Sequence, residues 1–97
     1  MRICVLASGS KGNSTYIETE KSKILIDAGI TKSDLERRLS LINVNPSDID
    51  AILITHEHSD HIKGVGQFAK KFGCKIYAHN LSWDALSTKI GDIPLAQ

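Results

Sequence analysis

Three imidazoles and a carboxylate fall within six residues of the heptapeptide Thr55-His56-Glu57-His58-Ser59-Asp60-His61, at the end of an apolar run. Neutral imidazole and carboxylate are ligand types that suit zinc, iron, manganese and related divalent ions. If extended chain continues past the run Ala51 to Ile54, His56 and His58 stand two apart and project to the same side. A turn at Ser59 then swings Asp60 and His61 to a neighbouring position. One short loop thereby offers a pair of imidazoles to one cation and an Asp/His pair to a second. Two cations about 4 Å apart are a common apparatus for activating water against a phosphoryl or carbonyl centre. The plainer alternative is a solvated loop in which Asp60 caps the next helix, but it leaves four ligand-type residues at this spacing as coincidence. Glu57 reads as a solvated spacer within the motif.

These residues need elements to hold them. Ile3 to Ala7 is an unbroken apolar run that reads as a buried strand, followed by a tight loop at Ser8-Gly9-Ser10-Lys11-Gly12-Asn13. Ser14 to Thr19 and Lys23 to Asp27 read as two further strands joined by a hairpin turn at Glu20-Lys21-Ser22. Thr31-Lys32-Ser33-Asp34 has the spacing of a capping box, with Ile30 placed to staple onto Leu35. Leu35, Leu39 and Ile42 then repeat at helical spacing, and the helix ends before Asn43-Val44-Asn45-Pro46. Ala51 to Ile54 lacks polar alternation, which predicts an interior strand covered on both faces. Beyond the histidines, Ile62, Val65, Phe68, Ala69 and Phe72 mark one amphipathic helix closed by Gly73. Lys75 to Ala78 reads as a strand. Asn80 caps a third helix carrying Trp83, Leu86 and Ile90, which Gly91 stops, and Ile93 to Gln97 reads as extended.

Other candidate residues lie outside the heptapeptide. Asp27 follows three apolar residues and precedes Ala28-Gly29, so its carboxylate falls at a strand end; the simpler role is to satisfy turn amides. The glycines of the Ser8 to Asn13 loop invite an anion-cradle reading with Ser10 and Asn13 as substrate contacts, set against an ordinary tight turn beside the pocket. Lys11 precedes Gly12 with no Gly-Lys-Ser/Thr after it, which excludes a nucleotide P-loop. Gly64-Val65-Gly66-Gln67-Phe68-Ala69 fits a loosened dinucleotide fingerprint but does not start at a strand end, and its glycines read better as close helix packing. His79 reads as a surface or capped histidine. Lys63, Lys70, Lys71 and Lys75 read as a solvated face.

Composition excludes several classes. A chain of 97 residues with 41% hydrophobic and 24% charged residues and a formal net charge of +1 is an ordinary globular sequence, without the basic excess of a non-specific nucleic-acid binder. Cys4 and Cys74 show no CxxC or framework spacing, so reduced thiols are expected. No leader pattern opens the chain and no apolar run approaches the roughly twenty residues of a membrane span, which predicts a cytoplasmic protein with no membrane partner. The two Asn-x-Ser/Thr matches carry no weight without a secretory route.

The string His-x-His-x-Asp-His after a hydrophobic strand resembles the signature of the metallo-β-lactamase fold superfamily. Within it, Leu6-Ala7-Ser8-Gly9-Ser10-Lys11-Gly12-Asn13-Ser14 and Ile26-Asp27-Ala28-Gly29 resemble the YycJ/WalJ/VicX group of bacterial hydrolases. The resemblance covers essentially the whole chain. It implies an α/β fold with elements in the order β-β-β-α-β-α-β-α and a mixed sheet, forming the amino-terminal half of a four-layer αββα sandwich. Residues 1–97 are then the amino-terminal part of a single domain more than twice as long. It also implies two divalent metal ions, zinc foremost with manganese or iron as alternatives. His56 and His58 would hold the first ion, Asp60 and His61 the second, with Asp60 also the candidate catalytic residue and Asp27 supporting the metal loop by hydrogen bonding. Metal-activated water would then hydrolyse phosphodiesters, with DNA as the substrate and an exonuclease-like activity. The same loop serves thioester and lactam hydrolases of the superfamily, and a non-catalytic interaction module is the reading from another class.

One departure from the family pattern sharpens these expectations. Its members complete the two metal sites with a further His, a bridging Asp and a last His, and apart from His79 this chain has no candidate for them. Each ion would have two ligands here, fewer than the three that a hydrolytic zinc normally keeps. The 97-residue chain alone is therefore expected to be weakly active or inactive. Its apolar sheet surface is expected to need the missing carboxyl-terminal half, or a homo-oligomer, to cover it.

Overall fold

A computed structural model describes residues 1–56 and 59–78, without the side chains of Ser59 and Asp60. The chain runs β1 (Arg2–Ala7), β2 (Ser14–Glu18), β3 (Lys23–Ile26), α1 (Lys32–Leu41), a 3-10 turn (Pro46–Asp48), β4 (Ala51–Ile54), α2 (Ser59–Ile62), α3 (Val65–Phe72) and β5 (Lys75–Ala78). The five strands form one mixed α/β sheet in the order β1-β2-β3-β4-β5. The first three strands are antiparallel, and β3, β4 and β5 are parallel. The two crossovers, through α1 and through α2 and α3, step in the same direction along the sheet, which puts their helices on one face.

Register explains how the core forms. Cys4, Tyr16, Leu25, Ile52 and Ile76 are direct cross-strand partners in a line across all five strands. Tyr16, Leu25, Ile52 and Ile76 are fully buried in this line, beneath Leu35 and Leu39 of α1 and Val65 and Phe68 of α3. The adjacent rows point the other way. There Ile3 and Val5 are 58% and 66% exposed, and Ile24, Ile26 and Leu53 are half-buried. β4 therefore departs from the expectation of cover on both faces. Its missing alternation reflects a central strand whose second face is apolar and only partly covered among the described residues, with Ala51 buried and Leu53 half-buried.

Local chemistry sets the helix ends. The Thr31 hydroxyl accepts the Asp34 amide at 3.2 Å, as the capping pattern requires. Asp34 pairs with Arg37 at 3.1 Å, so among the described contacts only the Thr31 half of the box is made. At the other end Asn43 takes a left-handed conformation (φ 60°), while the Val44 amide donates to Leu39 and the Asn43 amide to Ser40. That is a Schellman motif with Asn in place of Gly. The hairpin closes as expected, with Thr19 and Ser22 bonded across it and the Thr19 hydroxyl receiving the Lys21 and Ser22 amides.

The helix expected from Ile62 to Phe72 is two helices, broken at Lys63-Gly64. The Gly64 amide is taken by the Ala28 carbonyl at 2.7 Å. A Cβ on Gly64 would lie 2.2 Å from the Ile30 carbonyl oxygen. The backbone is claimed by the segment between β3 and α1, so the helix restarts beyond it. α3 ends as the sequence predicts, with Gly73 left-handed at φ 72° and its amide on Ala69. Lys71 of α3 pairs with Glu36 of α1 and ties the two helices, while Lys32 pairs with the same carboxylate from within α1. Arg38 reaches from α1 to the Leu6 carbonyl of the edge strand β1. No helix among the described residues is long and apolar enough to cross a membrane. The expected helix at Asn80 to Gly91, the extended end and His79 lie outside the described residues.

Candidate metal centre

The parallel strands β3 and β4 end side by side, and the residues that leave them build the site. Asp27 follows β3 directly, is 5% exposed, and takes a left-handed backbone conformation (φ 64°) that Asp tolerates better than most residues. Its amide donates to the Leu53 carbonyl at 2.8 Å, which continues the β3–β4 ladder while the left-handed turn redirects the chain. The carboxylate is thereby held under the residues that follow β4.

Three donors converge on that carboxylate. The Thr55 amide reaches Oδ1 at 2.8 Å, the Thr55 hydroxyl reaches Oδ2 at 2.6 Å, and His61 Nδ1 lies 2.7 Å from Oδ2. An ionised carboxylate only accepts, so Nδ1 is the donor in this pair, and Nε2 is the nitrogen that a neutral His61 would present to a cation. A carboxylate behind an imidazole is the arrangement that fixes ring orientation and raises ligand basicity at metal sites. His56 lies with its Nδ1 3.0 Å from the Thr55 hydroxyl, and the His56 and His61 rings stand 4.7 Å apart, centroid to centroid, tilted by 43°.

The backbone around the imidazoles is laced across three segments. The Ala28 amide donates to the His61 carbonyl, Gly64 to Ala28, and Gly29 to Asn13. α2, which carries Asp60 and His61, is thus fastened to the turn after Asp27, and so is the loop that follows β1. Gly12 belongs to the same contact, since a Cβ there would lie 2.6 Å from Ile30 Cγ2 and 2.7 Å from the Gly29 carbonyl oxygen.

The structure brings Asp27, His56 and His61 together. It puts Asp60 on α2 with its side chain undescribed, and His58 and Glu57 lie outside the described residues. Extended chain does not run far past β4, because Thr55 forms a bend and a helix starts at Ser59. Asn13 uses both ends of its amide on Gly9, accepting from its N–H at 3.2 Å and donating to its carbonyl at 2.9 Å. Ser10 is exposed in the same loop. Among the described residues no three His, Cys, Asp or Glu side chains stand together as a ligand set. The described donors are the two imidazoles, and two adjacent neutral nitrogens backed by a buried carboxylate fit a borderline cation such as zinc.

Thr55 is the site residue that sequence reasoning left without a role. Its signal was present, since a hydroxyl directly after a strand and directly before the first histidine faces whatever closes the neighbouring strand. What could not be read was that Asp27 closes it.

Comparison with known proteins agrees with this architecture. The metallo-beta-lactamase superfamily profile matches residues 7–96. The chain is 50% identical over 95 residues to the exodeoxyribonuclease WalJ of Streptococcus pneumoniae serotype 2, covering 96% of this chain and 35% of that protein. It is 43% identical over 97 residues to the exodeoxyribonuclease YycJ of Bacillus anthracis, covering all of this chain and 37% of that protein. The chain thus spans about a third of the length of the relatives it matches. A solved Cronobacter sakazakii metallo-beta-lactamase superposes with a TM-score of 0.79 over 93% of this chain and 35% of the other, at 20% identity, a likeness of fold alone. With a profile match over nearly its whole length and relatives of this identity, the chain belongs to the metallo-beta-lactamase superfamily.

Proposed function

We propose that this chain is the amino-terminal part of one metallo-β-lactamase-fold domain, residues 1–97, whose activity is metal-dependent hydrolysis of phosphodiester bonds in DNA, exonuclease-like in mode. The observation that carries the metal reading is the Asp27 carboxylate, which holds Thr55 and His61 and backs two imidazoles 4.7 Å apart. The DNA reading is supported by the two relatives named as exodeoxyribonucleases, at 50% and 43% identity.

In this reading His56 and His58 hold one cation, and Asp60 and His61 a second, with Asp60 also the catalytic residue. Two divalent ions, zinc before manganese or iron, supply acidified water and charge stabilisation when bound. The chain's own work is orientation. Asp27 bonds His61 at Nδ1 and leaves Nε2 for the cation, and the lacing of Ala28 to His61 and Gly64 fixes α2 against the sheet. Asn13 braces the loop through Gly9, and in this reading Ser10 and Asn13 are the substrate contacts that the loop offers. The apolar face bearing Ile3, Val5 and Leu53 is given to the second sheet of the sandwich, in keeping with a chain that spans about a third of its relatives.

The test is release of nucleotides from end-labelled DNA by the full-length protein, with and without a chelator. Loss of activity with chelator, and in His58→Ala and Asp60→Ala proteins of unchanged circular dichroism, is the expected outcome. Chelator-resistant cleavage, or turnover of a thioester in preference to DNA, counts against this reading. Cellular function that persists in both variants points to a non-catalytic module instead.

A further inference from the structure

The loop after β1 and the loop after α2 meet the same short strip of backbone, Ala28-Gly29-Ile30. Gly12 packs on Gly29 and Ile30, and the Asn13 carbonyl accepts the Gly29 amide. Gly64 packs on Ile30 as well, its amide donates to Ala28, and the Ala28 amide donates to His61. One lysine precedes each of these glycines, Lys11 before Gly12 and Lys63 before Gly64. Lys11 sits in the turn that the Gly12 amide closes on the Gly9 carbonyl at 3.3 Å, and Lys63 lies between the two residues bonded to Ala28. Two long, flexible side chains thus stand on fixed backbone and flank the strip that follows Asp27. They do so at the end of the sheet where β1, β3 and β4 finish.

The charge around them is unbalanced. Both lysines are exposed, and neither forms an ion pair among the described residues. The described acids nearby are already engaged: Asp27 is buried under three donors, Asp34 pairs with Arg37, and Glu36 holds Lys32 and Lys71. The far end of the sheet is different. There the exposed Lys21 shares a recess with the exposed acids Glu20, Asp48 and Asp50, and the Lys75 amide donates to the Asp50 carbonyl.

We propose that Lys11 and Lys63 bind backbone phosphates of the DNA strand next to the scissile linkage. The proposal rests on the DNA reading above and names the residues that hold the strand beyond the reacting phosphate. A lysine ammonium is a compact point charge without the planar fork of arginine, which suits attraction to phosphate without exacting geometry. Such contacts position a strand and carry no sequence information, as removal of successive nucleotides requires.

Each phosphate neutralised on a single strand contributes about 0.7 to the slope of log affinity against log salt, or about fivefold at 0.1 M relative to 1 M salt. The full-length protein carrying Lys11→Gln and Lys63→Gln should therefore bind a labelled single-stranded oligonucleotide roughly 25-fold more weakly than wild type at 0.1 M salt, with a slope smaller by about 1.4. Fluorescence anisotropy in the presence of chelator measures both. Lys11→Arg with Lys63→Arg should restore most of the affinity. Lys21→Gln with Lys75→Gln removes the same charge from the far end of the sheet, beyond the screening length of about 10 Å at 0.1 M salt, and should stay within about twofold of wild type. With metal restored, the first pair should raise KM more on the oligonucleotide than on bis-p-nitrophenyl phosphate, a diester with no neighbouring phosphate. Equal weakening in both Gln pairs overturns the proposal. So does wild-type affinity and slope in the Lys11, Lys63 pair of a protein that degrades DNA, and either result leaves the DNA reading standing. The predicted weakening in a protein that cleaves no DNA keeps the lysine contacts and refutes the exonuclease reading. A wild-type protein that neither binds nor degrades DNA sinks both.

Discussion

Asp27 Oδ2 lies 2.7 Å from His61 Nδ1, across 34 residues of sequence, and the contact joins the end of β3 to the short helix after β4. Neither residue could be fixed by its own neighbours alone. The left-handed turn at Asp27 aims the carboxylate, and the bond from the Ala28 amide to the His61 carbonyl brings the helix to meet it.

Replacing that carboxylate separates charge from shape. Asp27→Asn retains a residue that tolerates the left-handed backbone, but an amide cannot accept from all three donors now on the carboxylate. Stability should fall by about 1–3 kcal/mol, the cost of leaving buried polar groups unpaired. Asp27→Ala should cost more, because it adds left-handed strain of about 1–2 kcal/mol. Urea denaturation of the two proteins checks the order, and an Ala variant as stable as the Asn variant would contradict it.

Gly64 is where the close approach of α3 to the turn before α1 is set. A Cβ would fall 2.2 Å from the Ile30 carbonyl oxygen, a backbone atom with no rotamer to change. Gly64→Ala should therefore destabilise the protein by at least about 2 kcal/mol, at the upper end of overpacking costs. A shift in denaturation midpoint smaller than that of Asp27→Asn would show that the turn yields more easily than its bonding to Ala28 suggests.

How much of this was legible in the sequence follows from what is local. The five strands, the Thr31 cap, the Gly73 stop and the end of α1 at Asn43 are short-range features, written in residues within a few positions of one another. The helix break at Gly64 was not, since it is caused by Ala28 and Ile30, more than thirty residues upstream. The strand ends also differ by one residue. Thr19 accepts turn amides, and Asp27 turns left-handed just after its amide makes the last bond to β4, so each ends the strand one residue before the apolar pattern suggests. At the site, the crowding of imidazoles and carboxylates into the heptapeptide was legible from spacing, and hydrogen bonding between Asp27 and that loop was expected from resemblance and is seen at Thr55 and His61. The part played by Thr55 was not, because it depends on which strand lies beside β4.

The sheet edge carries a pH response away from the site. Tyr16 is fully buried and its hydroxyl donates to Glu18 Oε1 at 2.6 Å. Burial, helped by that bond, pushes the phenol up to about 12. The same bond, with help from Arg2, holds the Glu18 carboxyl below its ordinary value. A raised phenol favours folding fully below about pH 10 and loses that contribution as pH rises through about 12. A lowered carboxyl contributes above the ordinary carboxylate range and loses it as pH falls through its folded value. Thermal melts should show wild type losing more stability than Tyr16→Phe between pH 10 and 12, and also toward acid. Parallel curves at both ends would contradict this.

Cys74 is buried behind α3, and burial pushes its thiol up to about 11. The thiolate is the reactive form, so this residue should be inert in the folded protein. Titration with a disulfide reagent at pH 8 should label the half-buried Cys4 first and Cys74 only on unfolding. Rapid labelling of Cys74 in a folded Cys4→Ala protein would contradict the packing described for α3.

The claim on which the account turns is that the loop backed by Asp27 is a metal centre. Its most direct test is zinc bound per chain after equilibration and gel filtration, compared between wild type and a His56→Ala, His61→Ala double variant of unchanged circular dichroism. The account predicts zinc retained by wild type and lost from the variant; equal zinc in both, or none in wild type, would contradict it.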